Sequence, residues 1–387
     1  MNTIADIVLG AIRAQICGQQ FHIDSALSEE LLENVYDFSG KQDMVHLVAA
    51  ELFAQKALDQ SPKASAFKKQ QFLAVYRYER IRQELEAICR VLEEAGIPYM
   101  PLKGAVMRQY YPEPWMRTSS DIDLLVPKKD VDAAAELLVR QLSYENHGVL
   151  EHDVQMFSPS GVHLELHFET IEDYQLDKAN KVLQNVWEDA VCVGGHHYVM
   201  SDEMFYFYHV AHMAKHVINR GCGIRFLLDM WILNHKVQYD EKKKKALLKT
   251  GDLYDFAKHA EHLSEVWFGD AEHTDVTERM EKHILGGGGV FGGDESSMAV
   301  KSVRHGGKLG YTMYLIFRPL NELRRTYTIL YKHKWLYPFC QIHRWFSLLF
   351  RGGFSNVRGI LRKSADAYGK NGDNVDRMFR DLKLPKN

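Results

Sequence analysis

Apolar residues recur every three or four positions through most of residues 1–95, and this period predicts a helical N-terminal region. The clearest stretch is FLAVYRYERIRQELEAICRVLEEAG, whose final glycine, Gly96, follows the last turn as a C-cap. After Gly96 the pattern changes to short apolar runs that predict strands, at 97–102, 121–126, 154–157 and 162–168. The pattern therefore predicts helices followed by a small sheet.

Two of the connections between these runs have recognisable patterns. The segment KKDVDAAAELLVRQLSY has a helical period with Asp130 as its N-cap, which predicts a helix between the second and third strands. The tetrapeptide Ser158-Pro159-Ser160-Gly161 is typical of turns and predicts a hairpin between the last two strands.

The helical period returns from Ser201, and a glycine-rich stretch around 286–310 then predicts a mobile loop or linker. We predict an α+β fold, in which a small mixed-sheet core is flanked by N-terminal and C-terminal helical regions. The predicted segments are 1–95 (helical), 96–200 (α/β core), 201–285 (helical, packing on the core), 286–310 (glycine-rich loop) and 311–387 (basic, aromatic and helical).

Two carboxylates lie two residues apart on the second predicted strand, in Asp121-Ile122-Asp123-Leu124. Strand alternation puts Asp121 and Asp123 on one face, while Ile122 and Leu124 lie on the other. Carboxylates this close repel each other unless a cation lies between them, and their hard oxygen atoms suit Mg²⁺ or Mn²⁺. The pair therefore predicts a divalent-metal site.

The last predicted strand, VHLELHF, alternates more strictly than the others. Its apolar residues share one face, and Glu165 lies with His163 and His167 on the polar face. If this strand is a neighbour of the Asp121 strand, Glu165 supplies a third carboxylate to the same site. We therefore expect Asp121, Asp123 and Glu165 to converge on one pocket.

A glycine turn comes before these acids, in Leu102-Lys103-Gly104-Ala105, where an apolar run ends and a helix is predicted to begin. A glycine at such a turn lets backbone N–H groups approach a phosphate at the positive end of the helix. The chain thus holds a glycine turn, an Asp-x-Asp strand and a later strand with one more acid. This order is typical of metal-assisted phosphoryl or nucleotidyl transfer.

The segments LKGA, RTSSDIDLLV and HLELHFE resemble the three signature segments of the nucleotidyltransferase fold in the polymerase-beta superfamily, and more narrowly its bacterial branch of uncharacterised nucleotidyltransferases. The segment AHMAKHVINRGCGIRFLLD also resembles that branch, so the resemblance extends over roughly residues 96–345. It implies an enzyme that moves an NMP group from an NTP, such as ATP, to an acceptor hydroxyl, amine or phosphate and releases pyrophosphate.

The resemblance also implies roles for individual residues. Asp121 and Asp123 would hold two divalent ions, Mg²⁺ or Mn²⁺. Glu165 would complete the metal-binding triad and take the proton of the acceptor. Gly104 would line the triphosphate.

Without metal, the three adjacent carboxylates should repel one another and raise the pKa of at least one of the three carboxyl groups. We therefore expect Asp123→Asn to leave the stability of the metal-free protein equal or slightly higher.

Four cationic residues are candidates for nucleotide contact: Lys103, Arg117, Lys215 and Arg225. Three of them also have a structural interpretation. Lys103 is equally suited to solvent, and Arg117 to a surface ion pair. Arg225 and Asp229 are spaced i, i+4, so a pair on a helix surface would explain both.

The chain departs from the superfamily pattern at two points. The turn has Lys103-Gly104-Ala105 where Gly-Gly or Gly-Ser is usual, so it lacks a hydroxyl at residue 105. Fifteen residues, Val106 to Ser120, then separate the turn from Asp121, which is more than the common spacing. This insertion could shape an acceptor pocket.

Two other functions remain open. A nucleotidyltransferase-like core could bind a nucleotide, or dock a partner, without turnover. His209, His212 and His216 share one helix face and would allow a metallohydrolase, although packing is the favoured interpretation of that face.

Charge is distributed unevenly along the chain. Residues 301–387 hold 18 Lys and Arg against 5 Asp and Glu, whereas residues 1–300 hold 30 against 46. The acidic body disfavours nucleic acid as a partner, while the basic C-terminal region keeps it open. For the aromatic stretch at 335–354, packing on the helical domain is favoured, and contact with a membrane surface is the alternative.

The five cysteines are scattered, without a C-x-x-C pair, which favours a reducing compartment. No run of 18 apolar residues occurs, so we predict no transmembrane segment, and the expected location is the cytoplasm.

Overall fold

The computed structural model describes residues 3–23, 27–150, 152–170, 175–290 and 292–385, without the side chains of residue 325 and of most residues from 348 to 367. The chain forms two compact units, Met1–Lys215 with Gly223–Thr277, and His216–Cys222 with Glu278–Asn387. The first unit contains the strands, and the described part of the second is helical.

Four helices precede the sheet: α1 (Ile4–Ile12), α2 (Glu29–Lys41), α3 (Val45–Ala54) and α4 (Ala64–Glu94). The Thr3 side chain and the Asp6 side chain each accept a hydrogen bond from the other's backbone amide, and this capping box fixes the start of α1. Along the 31 residues of α4, Phe67, Ile81 and Ile88 are buried at intervals of seven or fourteen. One face of α4 is therefore its packing face.

Helix α4 ends at Glu94 with Ala95 as its C-cap, and the predicted Gly96 follows immediately. Gly96 has a φ of +71°, and the Ile97 N–H donates to the Leu92 carbonyl at 3.0 Å. Glycine adopts this left-handed conformation without the steric penalty of a Cβ. The chain turns here from α4 into the sheet.

Five strands form a mixed sheet: β1 (Met100–Pro101), β2 (Asp121–Leu125), β3 (Glu145–Leu150), β4 (Asp153–Phe157) and β5 (His163–His167). Their order is β1-β2-β5-β4-β3, with β2 and β5 parallel and the other neighbours antiparallel. The α+β fold is confirmed, and so is the hairpin between β4 and β5, which turns between Ser158 and Val162.

Three strands are not predicted by the apolar pattern: β3 and the two strands of a separate small sheet, β6 (Ala190–Gly194) and β7 (His197–Met200). All six residues of β3 are exposed, as are four of the five in β6. A strand at a sheet edge that buries neither face has no apolar alternation to detect.

Three short helices lie between the strands: α5 (Lys103–Met107), α6 (Val131–Leu142) and α7 (Asp177–Leu183). The apolar residues of β2 and β5, such as Ile122, Leu124 and Leu164, belong to one buried cluster with residues of α4 and α6. Helices therefore cover one face of the sheet, and the opposite face is left for polar side chains.

The remaining helices are α8 (Asp202–Asn219), α9 (Ile224–Lys236), α10 (Glu241–Thr250), α11 (Tyr254–Phe268), α12 (Asp275–Gly286), α13 (Asp294–Arg304), α14 (Gly307–Ile316), α15 (Leu320–Thr326) and α16 (Tyr337–Asp381). Within the described ranges, none of the helices combines the length and the apolar character that crossing a membrane requires.

The range predicted as a glycine-rich loop, 286–310, is mostly helical, because it contains α13 and the start of α14. Ala299, Val300 and Val303 of α13 are buried, and α13 packs against α16. The glycines flank α13, and its first turn carries Asp294 and Glu295, which favour a helix N-terminus. Glycine content averaged over the range conceals this helix. The division into five segments otherwise stays a prediction.

Replacing Gly96 with alanine should lower the free energy of unfolding by about 1 kcal/mol, since a Cβ is disfavoured at this φ. Its Cβ would meet only the His196 ring, at 3.6 Å, so the backbone causes the effect. Gly40→Ala is the matched control, because Gly40 lies within α2, where alanine should raise stability by about 0.5–1 kcal/mol. Urea unfolding that gave both variants a change of the same sign would contradict this interpretation.

Candidate active site

The polar face of the sheet is built by the parallel register of β2 and β5. Asp121 lies beside His163, and Asp123 lies beside Glu165. Side chains paired in this way project from the same face of a sheet. The three acids named from the sequence, Asp121, Asp123 and Glu165, therefore share the face opposite the apolar cluster.

Lys103 extends over this face from the start of α5. Its Nζ lies 2.6 Å from Oδ1 of Asp123 and 3.8 Å from Oε2 of Glu165, and its side chain is only 20% exposed. Its φ is +43°, which is uncommon for a residue that carries a side chain. A solvent-exposed role for Lys103 is therefore wrong: the turn delivers an ammonium group between two carboxylates.

Gly104 is favoured by limited space rather than by its backbone angle. A Cβ at Gly104 would lie 3.2 Å from Nη1 of Arg117 and from the Cβ of Ser119, while its φ is outside the left-handed region. Helix α5, which Gly104 belongs to, has only five residues. A role of Gly104 at the triphosphate stays a prediction.

His167 is a member of this cluster that sequence reasoning did not name as a site residue. Its Nε2 lies 2.9 Å from Oδ1 of Asp123 and 3.4 Å from Oε2 of Glu165. One potential ligand atom each from Asp123, Glu165 and His167 all lie within 4.8 Å of one another, and His167 forms a second such group with His152 and Asp153. The alternation of VHLELHF already put His167 on this face, so the signal was in the sequence.

The charges of the cluster balance one another. Burial alone would raise the pKa of Asp123, but the Lys103 ammonium and the His167 ring hold it well below its usual value. A hydrogen bond with His167 lowers the pKa of Glu165. Burial would lower the pKa of His167, yet its hydrogen bonds to Asp123 and Glu165 raise it. Burial and the neighbouring Asp123 charge raise the pKa of Asp121.

These contacts change the stability expected for Asp123→Asn. The raised pKa of one carboxylate agrees with the prediction, since Asp121 is the one raised. Asp123 itself is only 4% exposed and paired with cations, so its carboxylate stabilises the metal-free protein rather than destabilising it. The premise that repulsion dominates at Asp123 does not hold, and we now expect Asp123→Asn to lower the stability of the metal-free protein.

Arg117 is held by a buried ion pair beside the acids. Its Nη2 lies 2.9 Å from Oδ2 of Asp229 on α9, and the Tyr111 hydroxyl donates to Oδ1 of Asp229 at 2.6 Å. Burial would raise the pKa of Asp229, but the Arg117 charge lowers it. The pair fastens the segment between α5 and β2 to α9. The predicted surface ion pair of Arg117 is wrong, because its partner Asp229 is only 1% exposed. The predicted exposed Arg225–Asp229 pair is wrong for the same reason.

Arg225, on α9, lies next to the Arg117–Asp229 pair and also holds the segment before β2. Its Nη1 lies 3.1 Å from Oδ2 of Asp43 and donates to the Thr118 carbonyl at 3.2 Å. Burial lowers the pKa of Arg225, and the charge of Arg225 partly offsets the rise in the pKa of Asp121. Arg225 is thus within electrostatic range of the carboxylates. Lys215 lies half-buried on α8, and its nucleotide contact stays a prediction.

The three histidines of α8 are not gathered into a metal-binding group. His209 Nε2 lies 3.0 Å from the Phe226 carbonyl, and burial lowers its pKa. The His212 ring packs against the rings of Tyr208 and Phe226. In the part of the chain that the structure describes, the groups of three close metal-ligating side chains are the two that contain His167. The metallohydrolase interpretation therefore has no support.

Comparison with known protein families gives one match. The sequence model of a family described as uncharacterised nucleotidyltransferase matches residues 30–269. The chain belongs to this family. The match begins and ends earlier than the predicted resemblance over 96–345, so it includes N-terminal helices and leaves out the C-terminal unit from Glu278. No curated protein and no solved structure matches the chain.

Replacing Arg117 with methionine should lower the free energy of unfolding by about 3–5 kcal/mol, because it leaves Asp229 buried without its counter-ion. Arg82→Met is the matched control, since Arg82 pairs with Glu79 and Glu86 on an exposed surface of α4. Denaturant unfolding should show a large loss for the first variant and no clear change for the second. An equal loss of unfolding free energy in the two variants would show that the Arg117–Asp229 pair does not stabilise the fold more than a surface pair does.

Proposed function

We propose that the protein is a metal-dependent nucleotidyltransferase with a polymerase-beta-like core. It would move an NMP group from an NTP, such as ATP, to an acceptor hydroxyl, amine or phosphate and release pyrophosphate. The main support is that Asp123, Glu165 and His167 offer potential ligand atoms within 4.8 Å of one another, on the sheet face that they share with Asp121. The chain also belongs to a nucleotidyltransferase family. Its five free cysteines agree with action in the cytoplasm.

The donor set fits a divalent ion. Asp123 and Glu165 offer the hard oxygens that Mg²⁺ and Mn²⁺ both prefer, and the His167 imidazole lies beside them. The Lys103 ammonium, 2.6 Å from Asp123, supports the view that this position attracts cations. The residues that would hold the ion are Asp123 and Glu165 with Asp121 beside them, and His167 orients their carboxylates.

When bound, the divalent ion would supply charge neutralisation at the transferring phosphorus. The acceptor atom attacks the α-phosphorus, the bond from that phosphorus to the bridging oxygen breaks, and pyrophosphate leaves. Glu165 takes the proton of the acceptor, because its side chain is 24% exposed whereas that of Asp123 is 5% exposed. Arg225, whose charge acts on Asp121, would favour the triphosphate, while Arg117 holds the segment before β2 through its pair with Asp229. Catalysis is mostly positioning and charge neutralisation.

Lys103 would change partners during this cycle. In the metal-free protein its ammonium compensates one of the two negative charges of Asp123 and Glu165, and a divalent ion would balance both. A metal that binds these carboxylates would displace Lys103, and the flexible lysine would then be available to the phosphates of the NTP. Metal binding and nucleotide binding would therefore favour each other.

A non-catalytic nucleotide-binding or partner-docking protein is the second candidate. One observation favours it: a lysine, rather than glycine, occupies the left-handed turn position and already compensates the acids. If Lys103 permanently replaces the metal, the core would bind a nucleotide without turnover.

Asp123→Asn decides between these candidates. We expect it to abolish the metal-dependent release of pyrophosphate from the four common NTPs, assayed with a pool of acceptors, and to remove most of the melting-temperature increase that Mg²⁺ or Mn²⁺ gives the wild type. It should also lower metal-free stability by about 3 kcal/mol, since Lys103 and His167 lose their buried partner. Glu145→Gln, on the exposed strand β3, should change none of these.

Either of two results would contradict the proposal. An Asp123→Asn protein that keeps the full metal-dependent shift would show that the metal binds elsewhere. A wild type that binds nucleotide but never releases pyrophosphate, with any of these acceptors, would favour the binding protein.

Lys103→Met should bind Mn²⁺ at least about tenfold more tightly than the wild type, because a competing positive charge is removed from the carboxylates. The same variant should bind the NTP more weakly in the presence of metal. Titration calorimetry measures both affinities, and Lys128→Met, which removes an exposed lysine paired with Glu169, is the control. An unchanged affinity for Mn²⁺ would show that Lys103 does not compete with the ion.

A further inference from the structure

Exposed apolar side chains are concentrated in the C-terminal unit. Of the eighteen large apolar residues that are exposed within the described part of the chain, ten lie between residues 309 and 346. A contiguous group of such side chains on a protein surface marks an interaction site more often than chance.

Four of these residues form a stripe, here called the aromatic stripe: Trp335 in the 3-10 turn Lys334–Leu336, and Phe339, Ile342 and Phe346 in the first turns of α16. Their spacing of four, three and four residues puts them on one side of a helix. They are 68%, 62%, 44% and 55% exposed, and the Trp335 and Phe339 rings meet edge to face at 6.3 Å.

The opposite side of α16 supplies the packing of this segment. Cys340 is buried in a small cluster with Leu323 and Leu330. The Tyr337 hydroxyl donates to the Arg318 carbonyl at 2.7 Å, and Gln341 donates to the same carbonyl. The helix is therefore fastened to its unit by one side, and the aromatic stripe is not needed for that core. The interpretation of this segment as packed through its aromatic residues does not hold for the stripe.

Positive charge lies at the N-terminal end of the stripe. Lys332 and Lys334 are exposed and come immediately before Trp335. They belong to the part of the chain, 301–387, that holds 18 basic against 5 acidic residues. The surface thus combines an apolar stripe with cations at its end, which is the combination that interfacial helices present to anionic lipid.

We propose that the aromatic stripe and its lysines dock the protein on the surface of an anionic lipid bilayer. The apolar side chains would enter the boundary between head groups and acyl chains, with Trp335 at the level where tryptophan is enriched. Nucleic acid is the less suitable partner, because Ile342 and the exposed Leu309, Met313 and Ile316 have no ring on which a base can stack. This surface is independent of the sheet site and of its chemistry.

Co-sedimentation of the full chain with vesicles tests the proposal. The protein should pellet with vesicles of mixed phosphatidylcholine and phosphatidylserine, remain largely soluble with phosphatidylcholine alone, and dissociate as salt is raised. Three results would overturn it: no difference between the two vesicle types, stronger binding to RNA or DNA than to anionic vesicles, or a self-association that covers the stripe and prevents vesicle binding.

Matched variants locate the surface. The double variant Trp335→Ser/Phe339→Ser should lose at least about tenfold in vesicle affinity, because it removes two side chains from the boundary. Phe72→Ser/Tyr76→Ser is the control, since these α4 residues are an exposed pair of rings with the same 6.3 Å separation. Equal loss in both double variants, or no loss in the first, would overturn the assignment.

A charge variant provides a measurement that does not depend on the apolar substitutions folding well. Lys332→Gln/Lys334→Gln should reduce affinity for anionic vesicles about 25-fold at low salt, since each basic side chain near such a surface contributes a factor of about five. Melting curves check that every variant is folded. Full affinity in this variant would overturn the anionic-surface proposal.

Discussion

The carboxylate of Asp123 has lost almost all contact with water, so its charge must be balanced by cations within the protein. Lys103 and His167 supply that balance in the metal-free protein, at 2.6 and 2.9 Å. A buried carboxylate without such partners would be protonated or would destabilise the fold. Lys103 meets this requirement from a backbone conformation that usually favours glycine. The same requirement explains why this position is suited to a divalent ion.

The rest of the fold holds this cluster in place. The apolar faces of β2 and β5 pack on α4 and α6, which forces the alternate, polar residues to the other side of the sheet. The segment between α5 and β2 is fastened to α9 through Arg117 and Asp229. Because these contacts are buried, Arg117 and the acids keep fixed positions relative to one another within the first unit. A preformed site of this kind lowers the cost of ordering a charged substrate.

Much of the site could be predicted from the sequence, because strand alternation has a period of two and assigns faces without a structure. Asp121, Asp123 and Glu165 were found in this way. Long-range pairing could not be predicted: Asp229 is 112 residues from Arg117, and no local pattern links them. The positive φ of Lys103 could not be predicted either, because the pair Lys103-Gly104 suggests that the glycine takes the left-handed position. The edge strand β3 was missed because it buries no side chain.

We propose that the Asp123 cluster is a metal site from which Lys103 can be displaced. A crystal structure with Mn²⁺ and a nonhydrolysable NTP tests this most directly, because the anomalous signal of manganese locates the ion independently of the protein atoms. We expect an ion coordinated by Asp123 and Glu165, with the Lys103 ammonium moved to the phosphates. A structure in which Lys103 still bridges the two carboxylates, with manganese bound elsewhere, would contradict it.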